Sequence, residues 1–370
     1  MLIGICGAIC AGKHSVLDYL VTQHDCQVLA LASDEQDSSI SPPRTRHIHP
    51  TTTFPNIDQL LTHATRDWRK NFVTVSIHST ETVDILSRRP FFLLLHVDAP
   101  VTLRWQRYSA LHTPPPSLES FITLSDAHLY SPPNPLAALS KRASLTILNS
   151  ATSTSTLHAS LDKLDLSDPT RLRPTWDLYF MTLASLAARR SNCMRRQVGC
   201  VLVRNSRILA TGYNGTPRGV RNCSEGGCPR CNNAAGPAPS PAVAKEETSF
   251  PLSTPIQPPT GGGGAALDTC LCIHAEENAL LEAGRERIGD RSGPPGSGAV
   301  LYCNTCPCLT CTIKIVQVGI AEVVFSQSYY MDAEAAKVFE EAGVKLRQFD
   351  GGLVGGEGVV DVGEGWVGGR

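Results

Sequence analysis

Two short segments carry residue types suited to metal chemistry. One is Cys272-Ile-His274-Ala-Glu276-Glu-Asn278-Ala, and the other is Thr305-Cys306-Pro307-Cys308-Leu-Thr-Cys311. A catalytic zinc takes three protein ligands and keeps a fourth position for water. His274 offers a nitrogen, and Cys308 and Cys311 offer two thiolates. A C-x-x-C at a helix start sets both sulfurs on one side, where the helix N-terminus favours the thiolate form. Glu276 stands two residues after His274, beside the metal but outside its ligand set. There it can take a proton from water and pass it on. A closed structural zinc uses four protein ligands, whereas this pattern supplies three and a carboxylate. Cys306 reads as a packed thiol, because Pro307 aims the chain so that Cys308 and Cys311 converge.

The chain has 370 residues and 14 cysteines, and 11 of these lie between Cys193 and Cys311. Close spacing and the lack of a basic n-region before the first apolar stretch favour metal over disulfides. Outside the first site stand Cys193, Cys223, Cys228, Cys231, Cys270 and Cys272. Cys228-Pro-Arg-Cys231 is a knuckle and Cys270-Leu-Cys272 a C-x-C pair. Four thiolates from this set can close a second, structural zinc, and spacing does not choose among the six.

With 33 basic and 34 acidic side chains the net charge is -1, which disfavours nucleic acid as a partner. No apolar run approaches the roughly 20 residues that span a bilayer. No membrane partner is expected, and the cytoplasm or nucleus is the default location. Length suggests two domains.

Residues 1–168 read as α/β with a parallel sheet. Met1 to Cys6, Val73 to His78, Phe91 to Val97 and Leu145 to Leu148 are the strand candidates. Helices are expected at Asp58 to Lys70 and Thr156 to Leu166. Residues 174–350 read as a second α/β unit. It has a helix over Asp177 to Arg190 and a hairpin of Val198 to Val203 with Ile208 to Gly212 around Asn205 and Ser206. A helix over Ala275 to Ala283 follows, then a strand at Ala299 to Tyr302, a helix at Thr310 to Val318 and a strand at Glu322 to Phe325. Residues 233–265 and the tail 351–370, which is nearly half glycine, bury too little apolar area to order and are expected to be disordered.

Four segments together, GYNGTP (Gly212 to Pro217), QVGCVLV (Gln197 to Val203), HAEENALL (His274 to Leu281) and PCLTC (Pro307 to Cys311), resemble the deoxycytidylate deaminase family, in particular its fungal form. The resemblance runs from about Trp176 to Phe349 apart from the insert. It implies a cytidine-deaminase-like α/β/α domain. It also implies hydrolysis of dCMP to dUMP and ammonia, supplying thymidylate synthesis. Catalytic Zn2+ would sit on His274, Cys308 and Cys311, and zinc-activated water would attack C4. Glu276 would protonate N3 and then serve the departing amine. Asn214 is implied to hold the deoxyribose. Arg285 is implied to face the phosphate, with Arg190 and Arg195 as further cations. Tyr329 is a candidate for lying along the base. For the second zinc the resemblance favours Cys193, Cys223, Cys228 and one of Cys270 or Cys272. It further implies a homo-hexamer activated by dCTP with Mg2+ and inhibited by dTTP.

The segment Gly7-Ala-Ile-Cys-Ala-Gly12-Lys13 follows a strand and precedes a helix, as a phosphate-cradling loop does. The first domain resembles P-loop nucleotide or nucleoside kinases. His14 stands where a hydroxyl should hold Mg2+, so nucleotide binding or a scaffold role is favoured over phosphoryl transfer. Asp34 to Pro55 reads as a loop or a lid remnant. Two other readings remain: a deaminase of cytosine, cytidine or tRNA adenosine, and a P-loop protein with a zinc appendage.

Overall fold

The structure, a computed structural model, describes residues 1–35, 51–232, 270–288, 298–328, 332–350 and 359–362. The insert 233–265, Tyr329 and most of Asp34 to Pro55 lie outside the described residues. The chain divides into two compact units, Met1–Pro174 with Gly356–Arg370, and Thr175–Gly355.

The first unit is built on β1 (Leu2–Gly7), β2 (Gln27–Leu31), β3 (Thr52–Phe54), β4 (Phe72–Thr74), β5 (Phe92–Asp98) and β6 (Leu145–Leu148). A late strand, numbered β12 (Val359–Asp361) in chain order, joins them. The sheet order is β12-β6-β5-β1-β4-β2-β3, and its pairs are parallel. Every residue of β1 is buried, as suits a strand with neighbours on both sides. Helix α1 (Lys13–His24) leaves the turn that follows β1 and turns Val16, Leu17 and Leu20 into the core.

Three expectations change here. The tail is not wholly without structure, since Val359–Asp361 pairs with β6 and Val362 is buried. A β-branched run beside an open sheet edge gains a ladder of hydrogen bonds that composition does not count. Thr52–Phe54, inside the expected loop, is a strand on the opposite edge. The strand at Val73 is short, ending at Thr74, where the Ser76 amide turns back to the Thr74 hydroxyl at 3.2 Å and the Ser76 hydroxyl takes the Leu31 amide of β2 at 3.2 Å in place of a backbone ladder.

The second unit has a sheet of β7 (Gly199–Arg204), β8 (Arg207–Tyr213), β9 (Val300–Thr305), β10 (Glu322–Gln327) and β11 (Lys345–Gln348). The order is β11-β10-β9-β7-β8, with β9, β10 and β11 parallel and β7 antiparallel to both of its neighbours. Asn205 and Ser206 both adopt positive φ, 50° and 58°, which matches the twist of a two-residue hairpin. Side chains alternate along the strands and build two cores. Cys200, Leu202, Leu301, Cys303 and Val323 pack on one face with helices α3 (Ala275–Ala283) and α4 (Leu309–Val318). Val201, Val203, Tyr302 and Val324 pack on the other with Phe180, Met181 and Ala184 of helix α2 (Trp176–Ala188). The unit is thus an α/β/α sandwich.

Both faces depend on close approach. A Cβ at Gly212 would lie 2.1 Å from the carbonyl oxygen of Ala275 and 2.6 Å from the amide nitrogen of Ala279. A Cβ at Gly199 would lie 2.0 Å from the carbonyl oxygen of Ala184. The obstacles are backbone, so they cannot swing aside. At the sheet edge, Arg347 forks onto Asp177 at 2.7 and 3.1 Å and reaches Glu322 at 2.9 Å. The Tyr302 hydroxyl donates to the same Asp177 at 2.8 Å.

Gly212→Ala should therefore destabilise the protein by about 1–3 kcal/mol, the usual cost of overpacking. Urea unfolding should show a lower midpoint, and an unchanged midpoint would contradict the close approach of β8 to α3.

Candidate active site

Two helix starts meet in the second unit. His274 is the N-cap of α3, and Cys308 is the N-cap of α4. Both caps are in extended backbone, with ψ of 157° and 165°, so each chain enters its helix at a sharp angle. The Nδ1 of His274 lies 3.4 Å from the sulfur of Cys308 and 3.3 Å from that of Cys311. The three ligand atoms lie within 4.8 Å of one another. Zinc with bonds of about 2.3 Å to sulfur and about 2.0 Å to nitrogen, held tetrahedrally, needs nitrogen and sulfur about 3.5 Å apart. The donors and their spacing fit that ion. Cys306 is buried and stands outside the triad, its amide bonded to the Gln327 carbonyl at 2.9 Å.

The electrostatics suit thiolate ligands. A hydrogen bond from Cys311, opposed by burial and helped by His274, brings Cys308 down to about 4. Cys311 moves the other way, since its proton is held against Cys308. The same contact with Cys308 raises His274.

Glu276 is 4% exposed, one residue inside α3. Burial is the main cause that pushes its carboxyl up to about 7. A carboxyl near neutrality can both accept and release a proton, which a proton shuttle needs. A dication at the triad would pull the value back down.

The loop after β8 is fastened to the start of α3. Gly215 and Ile273 exchange backbone hydrogen bonds of 3.2 and 2.8 Å. Asn278 donates to the Tyr213 carbonyl at 2.9 Å. Asn214 is 7% exposed. Its Oδ1 accepts from the Ser191 hydroxyl at 2.7 Å and the Val198 amide at 2.8 Å, and its Nδ2 donates to the Arg196 carbonyl at 2.8 Å. Three of the amide's four hydrogen-bonding positions thus brace the loop, and one N–H is left over. Ser191 had no motif to announce it, and the segment that contains Asn278 gave that residue no role. They act through backbone groups brought near by the fold.

Arg285 is exposed at the start of the helix Arg285–Ile288. Arg195 is exposed, and its guanidinium donates to the Arg230 carbonyl at 3.2 Å. Tyr329 lies outside the described residues. Cys193, Cys223 and Cys231 form one close sulfur group, and Cys223, Cys228 and Cys272 another.

In the first unit, β1 runs into a tight turn and then α1. A Cβ at Gly7 would lie 2.2 Å from the Val97 carbonyl oxygen, and Gly12 has φ 108°. Arg107 donates to the carbonyls of Cys10, Ala11 and Ala151 at 3.3, 3.2 and 2.8 Å, and Asn149 donates to Ala11 at 2.8 Å. Lys13 is half-buried, and burial lowers the pKa of its ammonium. A cavity of about 130 Å³ opens beside this turn, lined by Gly12, Ser15, Arg107, Asn149 and the start of the helix Thr154–Leu164.

Residues 174–327 match the family described as "Cytidine and deoxycytidylate deaminase zinc-binding region". Deoxycytidylate deaminase of Schizosaccharomyces pombe is 44% identical over 348 residues, covering 94% of this chain and 97% of that protein. Its counterpart in Saccharomyces cerevisiae is 39% identical over 359 residues, covering 94% and 96%. Among solved structures, the dCMP deaminase of cyanophage S-TIM5 in complex with dCMP and dUMP is 25% identical, with a TM-score of 0.31, over 48% of this chain and 98% of that one.

Proposed function

The chain belongs to the deoxycytidylate deaminase family, and from that membership we propose that it hydrolyses dCMP to dUMP and ammonia. The observation that carries the reading is the buried carboxyl of Glu276 at the head of α3, next to the triad of His274, Cys308 and Cys311. His274, Cys308 and Cys311 would hold zinc, which when bound would supply a Lewis acid that lets water act as a nucleophile near neutral pH. Glu276 accepts the proton that water sheds as its oxygen bonds to C4, and delivers it to N3 of the ring. It then takes the second proton from the hydroxyl now on C4 and passes it to the amine, whose bond to C4 breaks. The leaving group is ammonia, and the oxygen stays as the C4 carbonyl of dUMP. Burial keeps Glu276 from bulk water, so the proton goes to the ring.

Asn214 has one N–H to offer the deoxyribose, and the hydrogen bonds that fix its amide would set that direction. Arg285 is the proposed partner of the phosphate. Arg195 is a second cation and Tyr329 the proposed neighbour of the base. Structural zinc bound by the cysteine set that includes Cys193, Cys223, Cys228 and Cys272 would hold the segment that carries Ser191 and Asn214. The family resemblance adds a hexamer that supplies dUMP for thymidylate synthesis and is regulated by dCTP with Mg2+ and by dTTP.

The first unit is proposed to bind nucleotide phosphate without transferring it. Supporting this are the glycine turn between β1 and α1, the half-buried Lys13 at the head of α1, and a parallel sheet with β1 at its centre. His14 in place of a hydroxyl leaves Mg2+ without its usual side-chain ligand.

Glu276→Gln should keep its zinc and fold yet lose dCMP turnover by about 100- to 10,000-fold, the usual worth of a general acid–base group. Metal analysis and the ultraviolet loss of dCMP measure both, and retained turnover would remove Glu276 from the mechanism. For the first unit, calorimetry should find a nucleoside triphosphate binding the intact protein, and Lys13→Ala should weaken it at least about tenfold, as loss of one charge-assisted contact does. Equal affinity in the variant would leave the turn a scaffold.

A further inference from the structure

Six cysteines outside the catalytic triad gather in the second unit, although up to 79 positions separate them in the chain (Cys193 to Cys272). The sulfurs of Cys193, Cys223 and Cys231 lie within 4.8 Å of one another, and so do those of Cys223, Cys228 and Cys272. Cys223 belongs to both groups. Cys228 and Cys270 are 3.9 Å apart at sulfur. Cys193 is also in hydrogen-bond contact with both Cys272 and Cys231. All six sulfurs are therefore linked in one continuous set.

Ligand counting limits what such a set can hold. One tetrahedral zinc takes four sulfurs and would strand two others beside it. Two zinc ions reach four sulfurs each from six only if two sulfurs are shared. Two are placed for that. Cys223 lies in both close groups, and Cys272 is in hydrogen-bond contact with Cys193 and within 4.8 Å of Cys223 and Cys228. We propose that these six cysteines bind two zinc ions in a single thiolate cluster bridged by Cys223 and Cys272. Cys193 and Cys231 complete one ion, and Cys228 and Cys270 complete the other.

The surroundings suit anionic sulfur. The backbone N–H groups of Arg195 and Arg196 point at Cys193, and those of Leu271 and Cys231 point at Cys228. Such N–H donors hold metal-bound thiolates in place. Six thiolates around two dications carry a net charge of two minus, and Arg195, Arg221 and Arg230 sit on the same loops. Cys223 and Cys228 are fully buried, which shields the cluster from exchange.

The cluster grips both ends of the catalytic knot. Cys272 precedes His274 by two residues, and the Cys193 amide donates to Ser191, whose hydroxyl also bonds Asn214. The proposal depends on these loops alone and stands apart from the deaminase reading.

The test is metal counting on the intact protein, followed by cadmium substitution. Native mass spectrometry should find three zinc ions per chain, one at the catalytic triad and two in the cluster. In the 113Cd spectrum two signals of all-sulfur character should be coupled to each other through the shared thiolates. The catalytic cadmium, with one nitrogen and two sulfurs, should give a separate uncoupled signal, so its loss would report on the active site alone. Cys231→Ser and Cys270→Ser should each perturb both coupled signals. A single all-sulfur signal that neither substitution moves would overturn the cluster, as would disulfides among the six in the wild-type protein.

Discussion

The meeting of two helix N-termini is the constraint on which the second unit depends. A zinc triad of one histidine and two cysteines tolerates little error in distance, and here its members sit on separate helices. His274 opens α3 and Cys308 opens α4, so each ligand's position follows from where its helix begins. What sets α3 is contact with β8, where Gly212 lies against the backbone of Ala275 and Ala279. What sets α4 is the end of β9, which delivers Thr305 directly into Cys306-Pro307-Cys308. Small residues at the helix–sheet contact thus set the geometry of the proposed metal site without touching it. The same entry angles place two partial positive charges at the sulfurs, which stabilises thiolate before any metal arrives.

A second consequence follows for Glu276. The carboxyl is carried on the first turn of α3, so the element that supplies the nitrogen ligand also supplies the proposed proton carrier. Their separation is fixed by one turn of backbone. Burial raises the carboxyl towards neutrality while the neighbouring histidine acts against it, as a dication at the triad would too. The chemistry thus rests on a balance between desolvation and nearby positive charge.

Much of this was legible in the sequence for a simple reason. H-A-E and P-C-x-x-C are local, and spacing within one turn of helix decides which side chains share a side. The hairpin around Asn205 and Ser206 was legible too, because short polar residues tolerate positive φ. Short strands at the sheet edges were harder. Thr52–Phe54, Lys345–Gln348 and Val359–Asp361 exist because an edge strand offers hydrogen bonds, and nothing inside the segments records that edge. The hydrogen bonds of Asn214 were equally hidden. Its partners are Ser191, Arg196 and Val198, and the asparagine–glycine turn gives no sign of them. Cysteine spacing named six candidates for a second metal, but their grouping into one continuous sulfur set appears only when the segments around Cys193, Cys223 to Cys231 and Cys270 to Cys272 fold together.

The account stands or falls on substrate choice at this site. The most direct measurement is the rate of deamination by the purified, zinc-replete protein with dCMP, deoxycytidine and cytidine supplied separately at equal concentration. The account predicts rapid loss of dCMP and little or none of the two nucleosides, because the phosphate supplies the charged contact. Equal turnover of the nucleosides, or none of dCMP in a protein that holds its zinc, would contradict it.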